Sequence, residues 1–268
     1  MPTISDIMFS RLQAGAQSLG KDLEATRSFL LSRINPDGGF QGRTGQSDLY
    51  YTAFGIDILL ASSPSEISNL KSRISAYLLS FTVGDNLTFM DLVSLARARM
   101  RLMPDSTPPE WRQTIARHLA RYRAANGGYH TDIGASVGSA TATFMAWIAH
   151  EALGITPENP DTIISSLSAL ATPDGAYSNL PEMPVGNTPS TAATQSLLHH
   201  FGLRPLDHIS NLKSQISDHP WLLNQLDDSG GFRAFPQAPI PDLLSTGTAL
   251  FALSLLSPSD LRPPTSDF

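Results

Sequence analysis

Apolar and polar positions along the chain sort into two kinds of stretch. One kind is apolar on nearly every side and rich in Ala, Gly and Thr, as in residues 52–60, 141–153 and 246–256. Such a stretch predicts a helix buried between neighbours. The other kind is amphipathic, as in the arginine-rich segment 109–124, and predicts an outer layer. Both kinds together predict about eleven helices, with loops carrying most of the Pro and Gly. The fold class is all-α.

The buried stretches begin alike. A polar residue opens each one: Asp48, Asp91, Ser136, Asn187 and Asp242, spaced 43, 45, 51 and 55 residues apart. Asp, Ser or Asn at such a place predicts an N-cap that accepts hydrogen bonds from first-turn amides. Most openers follow a turn ending in an aromatic: Asp37-Gly-Gly-Phe40, Asn126-Gly-Gly-Tyr129, Asp174-Gly-Ala-Tyr177 and Ser229-Gly-Gly-Phe232. The second opener follows a degraded turn at Gly84-Asp85. Glycine permits the turn, and the aromatic is expected to plug it into the core. A second repeat is nearly literal: the nine residues from Ile67 to Ser75 return from Ile209 to Ser217 with one change, 142 residues later, or three units of about 47. The architecture these repeats predict is a stack of about five to six helical hairpins, either an open solenoid or a closed ring, forming one domain over residues 1–257, followed by a polar tail over 258–268.

Composition narrows the chemistry. There is no cysteine, which removes disulfides, thiolate nucleophiles and Cys-ligated zinc or iron–sulfur sites. Charged residues are 16% of the chain and the net charge is −6 without a basic block, which argues against a nucleic-acid partner. No apolar run reaches the length of a membrane span, and the first residues lack a signal-peptide pattern. The expectation is a soluble, cytoplasmic chain.

Several motifs are weak in this setting. Gly134-Ala-Ser136-Val-Gly138 fits a nucleophile elbow, but that motif needs a preceding strand. Ser68-Asn-Leu-Lys71 and its copy Ser210-Asn-Leu-Lys213 lie in the duplicated outer-helix string, where helix capping explains them. The Asp227-Asp228 pair belongs to a turn, so capping is preferred to catalysis. His199 and His200 end a helix, where the dipole favours a cation. Arg97 and Arg101 share a helix face. They read either as a clamp for a diphosphate or as a solvated face.

The segment Gly38-Gly-Phe-Gln-Gly-Arg43, followed by Asp48-Leu-Tyr-Tyr-Thr-Ala-Phe-Gly55, resembles the repeat of protein prenyltransferase β subunits and terpene (squalene) cyclases, and the repeat covers essentially the whole chain. The resemblance implies an α/α toroid, a barrel of helical hairpins with inner helices around an apolar funnel. It implies that Arg43 and Tyr51 contact an isoprenoid diphosphate, and that His130, just after the third aromatic turn, lies on the diphosphate side; the other reading of His130 is a solvated loop. In the family, Asp48 is a zinc ligand and the residue two further on a zinc-bound Cys. Here that place holds Tyr50, and the later openers offer no His, so no metal site is predicted. Magnesium is compatible only through a diphosphate that carries it.

The candidate catalytic residues are therefore Asp48 and Asp242, each equally readable as an N-cap. The candidate substrate-binding residues are Arg43, Tyr50, Tyr51, His130, Arg97 and Arg101. The function implied is a prenyltransferase-like or terpene-cyclase-like protein acting on an isoprenyl diphosphate or another apolar lipid. The alternative is a non-catalytic lipid-binding or interaction scaffold that kept the toroid without the zinc chemistry. A helical-repeat partner subunit is compatible with both.

Overall fold

The computed structural model of the chain describes residues 2–203 and 221–256. The second copy of the nine-residue string, Ile209 to Ser217, and the tail at 258–268 lie outside the described residues. Among the described residues there are ten α-helices, one 3-10 helix, and no strand beyond isolated bridges. The helices are α1 (Ile4–Ser18), α2 (Asp22–Ser32), α3 (Leu49–Ser62), α4 (Pro64–Ser80), α5 (Phe89–Leu102), α6 (Pro109–Ala120), α7 (Ala140–Leu153), α8 (Pro160–Ser168), α9 (Thr188–His200) and α10 (Leu243–Leu255); the 3-10 helix is Trp221–Gln225. None is long and apolar enough to cross a membrane.

The chain divides into two compact units. The first comprises residues 1–122, 131–133 and 145–158, and the second residues 123–130, 134–144 and 159–268. In the first unit α3 and α5 form the central pair, with α1, α2 and α4 against α3 and α6 against α5. Ile56, Leu59, Val93 and Leu95 on this pair are fully buried, as are Ile74 and Leu78 of α4 and Ile115 and Leu119 of α6. In the second unit α9 packs on α10 and the 3-10 helix on α9. Their contact is built from small side chains, Ala192, Ala249 and Ala252, with Trp221, Leu222 and Phe232 filling the rest.

One hydrogen-bond pattern defines the repeat. In four turns the aromatic bridges back to the residue six positions earlier: Ile34 with Phe40, Arg123 with Tyr129, Ala171 with Tyr177, Leu226 with Phe232. The aromatic's carbonyl accepts from the amide of the following cap residue, Asp48, Ser139, Asn187 or Asp242, at 2.8–3.1 Å. Its own amide donates to the hydroxyl of a threonine four residues after that cap: Thr52 (2.9 Å), Thr143 (2.9 Å), Thr191 (3.0 Å) and Thr246 (2.8 Å). Each turn is thereby fastened to the helix it precedes, and buried backbone groups that would otherwise be orphaned are satisfied. The first turn is also pressed against its neighbours. Gly38 has φ +98°, and a Cβ there would lie 2.3 Å from the Arg73 carbonyl of α4; the Phe40 ring leaves no room for a Cβ at Gly55.

Two caps fall three residues away from the openers expected for them. The cap of α7 is Ser139, whose hydroxyl accepts from the Ala142 amide, while the Ser136 carbonyl accepts from Asn126 within the turn. The cap of α5 is Thr88, and Asp91 occupies its first turn, where the Thr88 hydroxyl donates to the Asp91 carboxylate at 2.6 Å. Thr-x-x-Asp is an acidic variant of the capping box, so the acid marks the first turn rather than the cap itself. Helix α6 also ends sooner than the amphipathic pattern, because Arg123 must extend to bridge to Tyr129.

Candidate functional site

Residues 41–47 form a small hairpin ahead of α3. Gln41 bridges to Ser47, the Gly42 amide donates to the Gln46 carbonyl at 2.7 Å, and Gly45 closes the tip at φ +84°. Arg43 stands at this tip, exposed, and its Nε donates to the Tyr51 hydroxyl at 3.2 Å. That bond, reinforced by the nearby Tyr50, raises the Arg43 pKa above its ordinary value. Asp48 is the N-cap of α3, accepting from the Tyr51 amide at 3.1 Å, and its side chain packs on Gly42. Arg43, Asp48 and Tyr51 are thus brought together at a helix N-terminus, where free amides and the helix dipole favour an anion.

Arg43 and Tyr51 differ from the residues that build the turn. The Gly pair, the aromatic, the cap and the threonine recur, whereas the positions equivalent to Arg43 hold Asp132, Leu180 and Phe235. Those equivalent to Tyr51 hold Ala142, Ser190 and Ser245. Only the first turn carries the guanidinium and the phenol, so neither is needed to make the turn.

A strip of side chains runs from this corner along α3 and α5. The Tyr50 ring meets Tyr51 edge-on at 5.7 Å and Phe54 at 4.8 Å, and both Tyr50 and Phe54 are more than a third exposed. The Arg97 guanidinium lies 5.5 Å from the Phe54 ring centre. Arg97 and Arg101 both bond Asp57, at 3.0 and 3.2 Å, with side chains only 10%, 21% and 15% exposed respectively. Arg101 also donates to the Ser5 carbonyl and hydroxyl of α1, both at 3.2 Å, and its guanidinium lies over the Phe9 ring. Burial lowers the Arg97 pKa; Asp57 opposes that, and Arg101 adds to it. These two arginines are committed to Asp57 and form neither an open clamp nor a solvated face.

Asp57 escapes a reading of the sequence because it interrupts a run that is otherwise apolar. The signal was present all the same, as a lone acid on a buried helix and two arginines four apart on the next buried helix.

The remaining candidates belong to the second unit. Asp242 is the N-cap of α10, bonded by the Ser245 amide (2.8 Å) and hydroxyl (2.6 Å). Burial works to raise its pKa, but these bonds and the Leu244 amide outweigh it and leave it below the ordinary value. A carboxyl so held is a poor proton donor at neutral pH. His130 is half-buried beside Tyr129. Asp227 accepts from the Ser229 amide at 3.0 Å and pairs with Arg233, the role of a turn residue. Among the described residues no group of three or more His, Asp and Glu side chains is placed to hold a metal ion. Asp48 is therefore not part of such a group, and the described residues do not fit the zinc site that the resemblance would bring.

Known proteins agree with this architecture. The family model described as the prenyltransferase alpha-alpha toroid domain matches residues 9–79 and 192–266, over half of the chain. Protein geranylgeranyltransferase-I of Candida albicans, solved in complex with GGPP, superposes with a TM-score of 0.67 at 16% identity, over 88% of this chain and 78% of that one. No curated protein matches the sequence. With its helical hairpins, its repeated Gly-Gly-aromatic turns and the family match, the chain belongs to the prenyltransferase alpha-alpha toroid domain family.

Proposed function

We propose that the protein binds an isoprenyl diphosphate, with the diphosphate at Arg43 and Tyr51 and the hydrocarbon along Tyr50 and Phe54. The observation that carries this reading is the Arg43–Tyr51 pair at the N-terminus of α3, present in one turn out of four and continuous with half-exposed aromatic rings. A guanidinium and a phenol offer directed donors to phosphate oxygens, and the cap of α3 adds the field of the helix. A magnesium ion carried by the diphosphate would supply further charge neutralisation. The geranylgeranyl diphosphate in the related solved structure supports the ligand class. Asp48 serves here as the cap that orients Tyr51 and not as a metal ligand.

A second reading has its own support. Among the described residues no group of His, Asp and Glu is placed to hold a metal ion, which favours a protein that does not activate a thiol acceptor through zinc. On that reading the toroid binds a lipid or a partner subunit without transferring anything.

Isothermal titration with geranyl, farnesyl and geranylgeranyl diphosphate, each with and without magnesium or zinc, tests the proposal. Saturable binding unaffected by zinc is the expected result. No binding of farnesyl, geranylgeranyl or the shorter geranyl diphosphate at high micromolar concentration would leave the scaffold reading alone standing.

A further inference from the structure

The half-exposed faces of α3 and α5 change character along their length. Near the start of α3 the face is aromatic, with Tyr50 and Phe54 four residues apart. Asp57 follows Phe54 by three residues and so continues the same face. On α5 the matching face brings Arg97 and Arg101 onto Asp57. The strip is therefore apolar for about two turns and then ends in three charged groups. From Tyr51 to Asp57 the helix rises about 9 Å.

We propose that the Asp57–Arg97–Arg101 cluster is a charged stop that limits how long a hydrocarbon chain the strip accepts, so that short isoprenoid diphosphates are preferred to long ones. The inference rests on the diphosphate reading given above. A methylene laid against Tyr50 or Phe54 exchanges water for an apolar surface and gains affinity. A methylene pressed onto the cluster meets three paired charges whose side chains are only 10–21% exposed; it gains no apolar contact and removes the little water that still reaches them, which costs more than it gains.

The cluster is also held in place. Asp57 is gripped from two sides, and Arg101 is fixed by Ser5 and by the Phe9 ring. The start of α1 is held in turn by Glu151 of α7, whose carboxylate accepts from the Ile4 amide at 3.0 Å. A strip of about 9 Å matches roughly two isoprene units at full extension.

Titration of the full chain with dimethylallyl, geranyl, farnesyl and geranylgeranyl diphosphate tests the stop. Affinity is expected to rise at least tenfold from dimethylallyl to geranyl and to fall at least tenfold from geranyl to geranylgeranyl diphosphate. Affinity that keeps rising to geranylgeranyl overturns the stop and leaves the diphosphate reading intact. No binding of any of the four overturns both. The combined replacement Asp57→Leu, Arg97→Leu and Arg101→Leu removes the three charges together and leaves no partner alone. It is expected to bind geranylgeranyl diphosphate at least tenfold more tightly than the wild type. An unchanged preference in a variant with native circular dichroism overturns the stop; the wild-type series decides the matter if the variant does not fold.

Discussion

The Thr52 hydroxyl accepts from the Phe40 amide at 2.9 Å and donates to the Asp48 carbonyl at 2.6 Å. One buried oxygen thereby joins the aromatic of the turn to the cap of α3. Thr246 repeats the whole link, donating to the Asp242 carbonyl at 2.7 Å, whereas Thr143 and Thr191 accept from the aromatic's amide in the same way but donate to the Tyr129 and Tyr177 carbonyls. Replacement of Thr52 by Val keeps the shape and orphans the Phe40 amide in the core. The expected loss is about 1–3 kcal/mol of stability, read by urea unfolding, and Thr52→Ser is expected to recover most of it. Equal stability of the Val and Ser variants would contradict the assigned role.

Arg43 is expected to behave in the opposite way. It is exposed, bonds only side chain to side chain with Tyr51 among the contacts seen, and has no counterpart in the other turns. Arg43→Ala should leave the thermal midpoint within about a degree of wild type, as surface changes do, while weakening diphosphate binding by tenfold or more. Arg43→Lys should recover only part of the affinity, because a point charge replaces a planar fork. Differential scanning fluorimetry and titration on the same samples separate the two effects. An Arg43→Ala protein that binds as wild type removes this residue from the site.

The repeat was legible in the sequence because its signals are local. Gly38, Gly127 and Gly230 all have positive φ, and the caps Asp48, Asn187 and Asp242 stand directly before their helices. Where two polar residues lie three apart, as at Ser136 and Ser139 or Thr88 and Asp91, local chemistry does not say which one is the cap. The candidate site was legible in part. Arg43, Asp48 and Tyr51 fall within nine residues and meet through one turn. Asp57 meets its partners 40 and 44 residues away, and nothing local announces that pairing. The pairing is what turns Arg97 and Arg101 from a prospective clamp into a closed ion cluster.

That cluster makes a stability prediction of its own. Asp57→Ala leaves two largely buried guanidinium groups facing each other without their carboxylate. The expected cost is about 3 kcal/mol by urea unfolding. Raising the salt concentration to 1 M should recover part of the loss, since it screens the repulsion that remains. The triple leucine replacement should be far closer to wild type than Asp57→Ala, because it leaves no charge uncompensated. A single replacement that costs less than the triple one would show that the cluster is solvated and contributes little.

The acid limb of stability should carry a contribution from Asp227. The Ser229 amide first, and then Arg233, hold the Asp227 carboxyl at about 2, below its ordinary value of 3.8. A carboxyl depressed in the folded state binds protons more weakly there than in the unfolded chain. Its stabilisation is therefore complete above pH 4 and is lost as pH falls from about 4 towards 2. Glu151 has the opposite sign: burial raises its pKa, so the folded state takes up its proton more readily and stability is gained as pH falls. A difference curve isolates Asp227 from that background. Unfolding free energies of wild type and Asp227→Asn, measured from pH 6 to pH 2, should run parallel above pH 4 and converge below it. Curves that stay parallel down to pH 2 would show that the Asp227 carboxyl titrates alike in the folded and unfolded chain, and that the bonds from Ser229 and Arg233 do not hold it in solution.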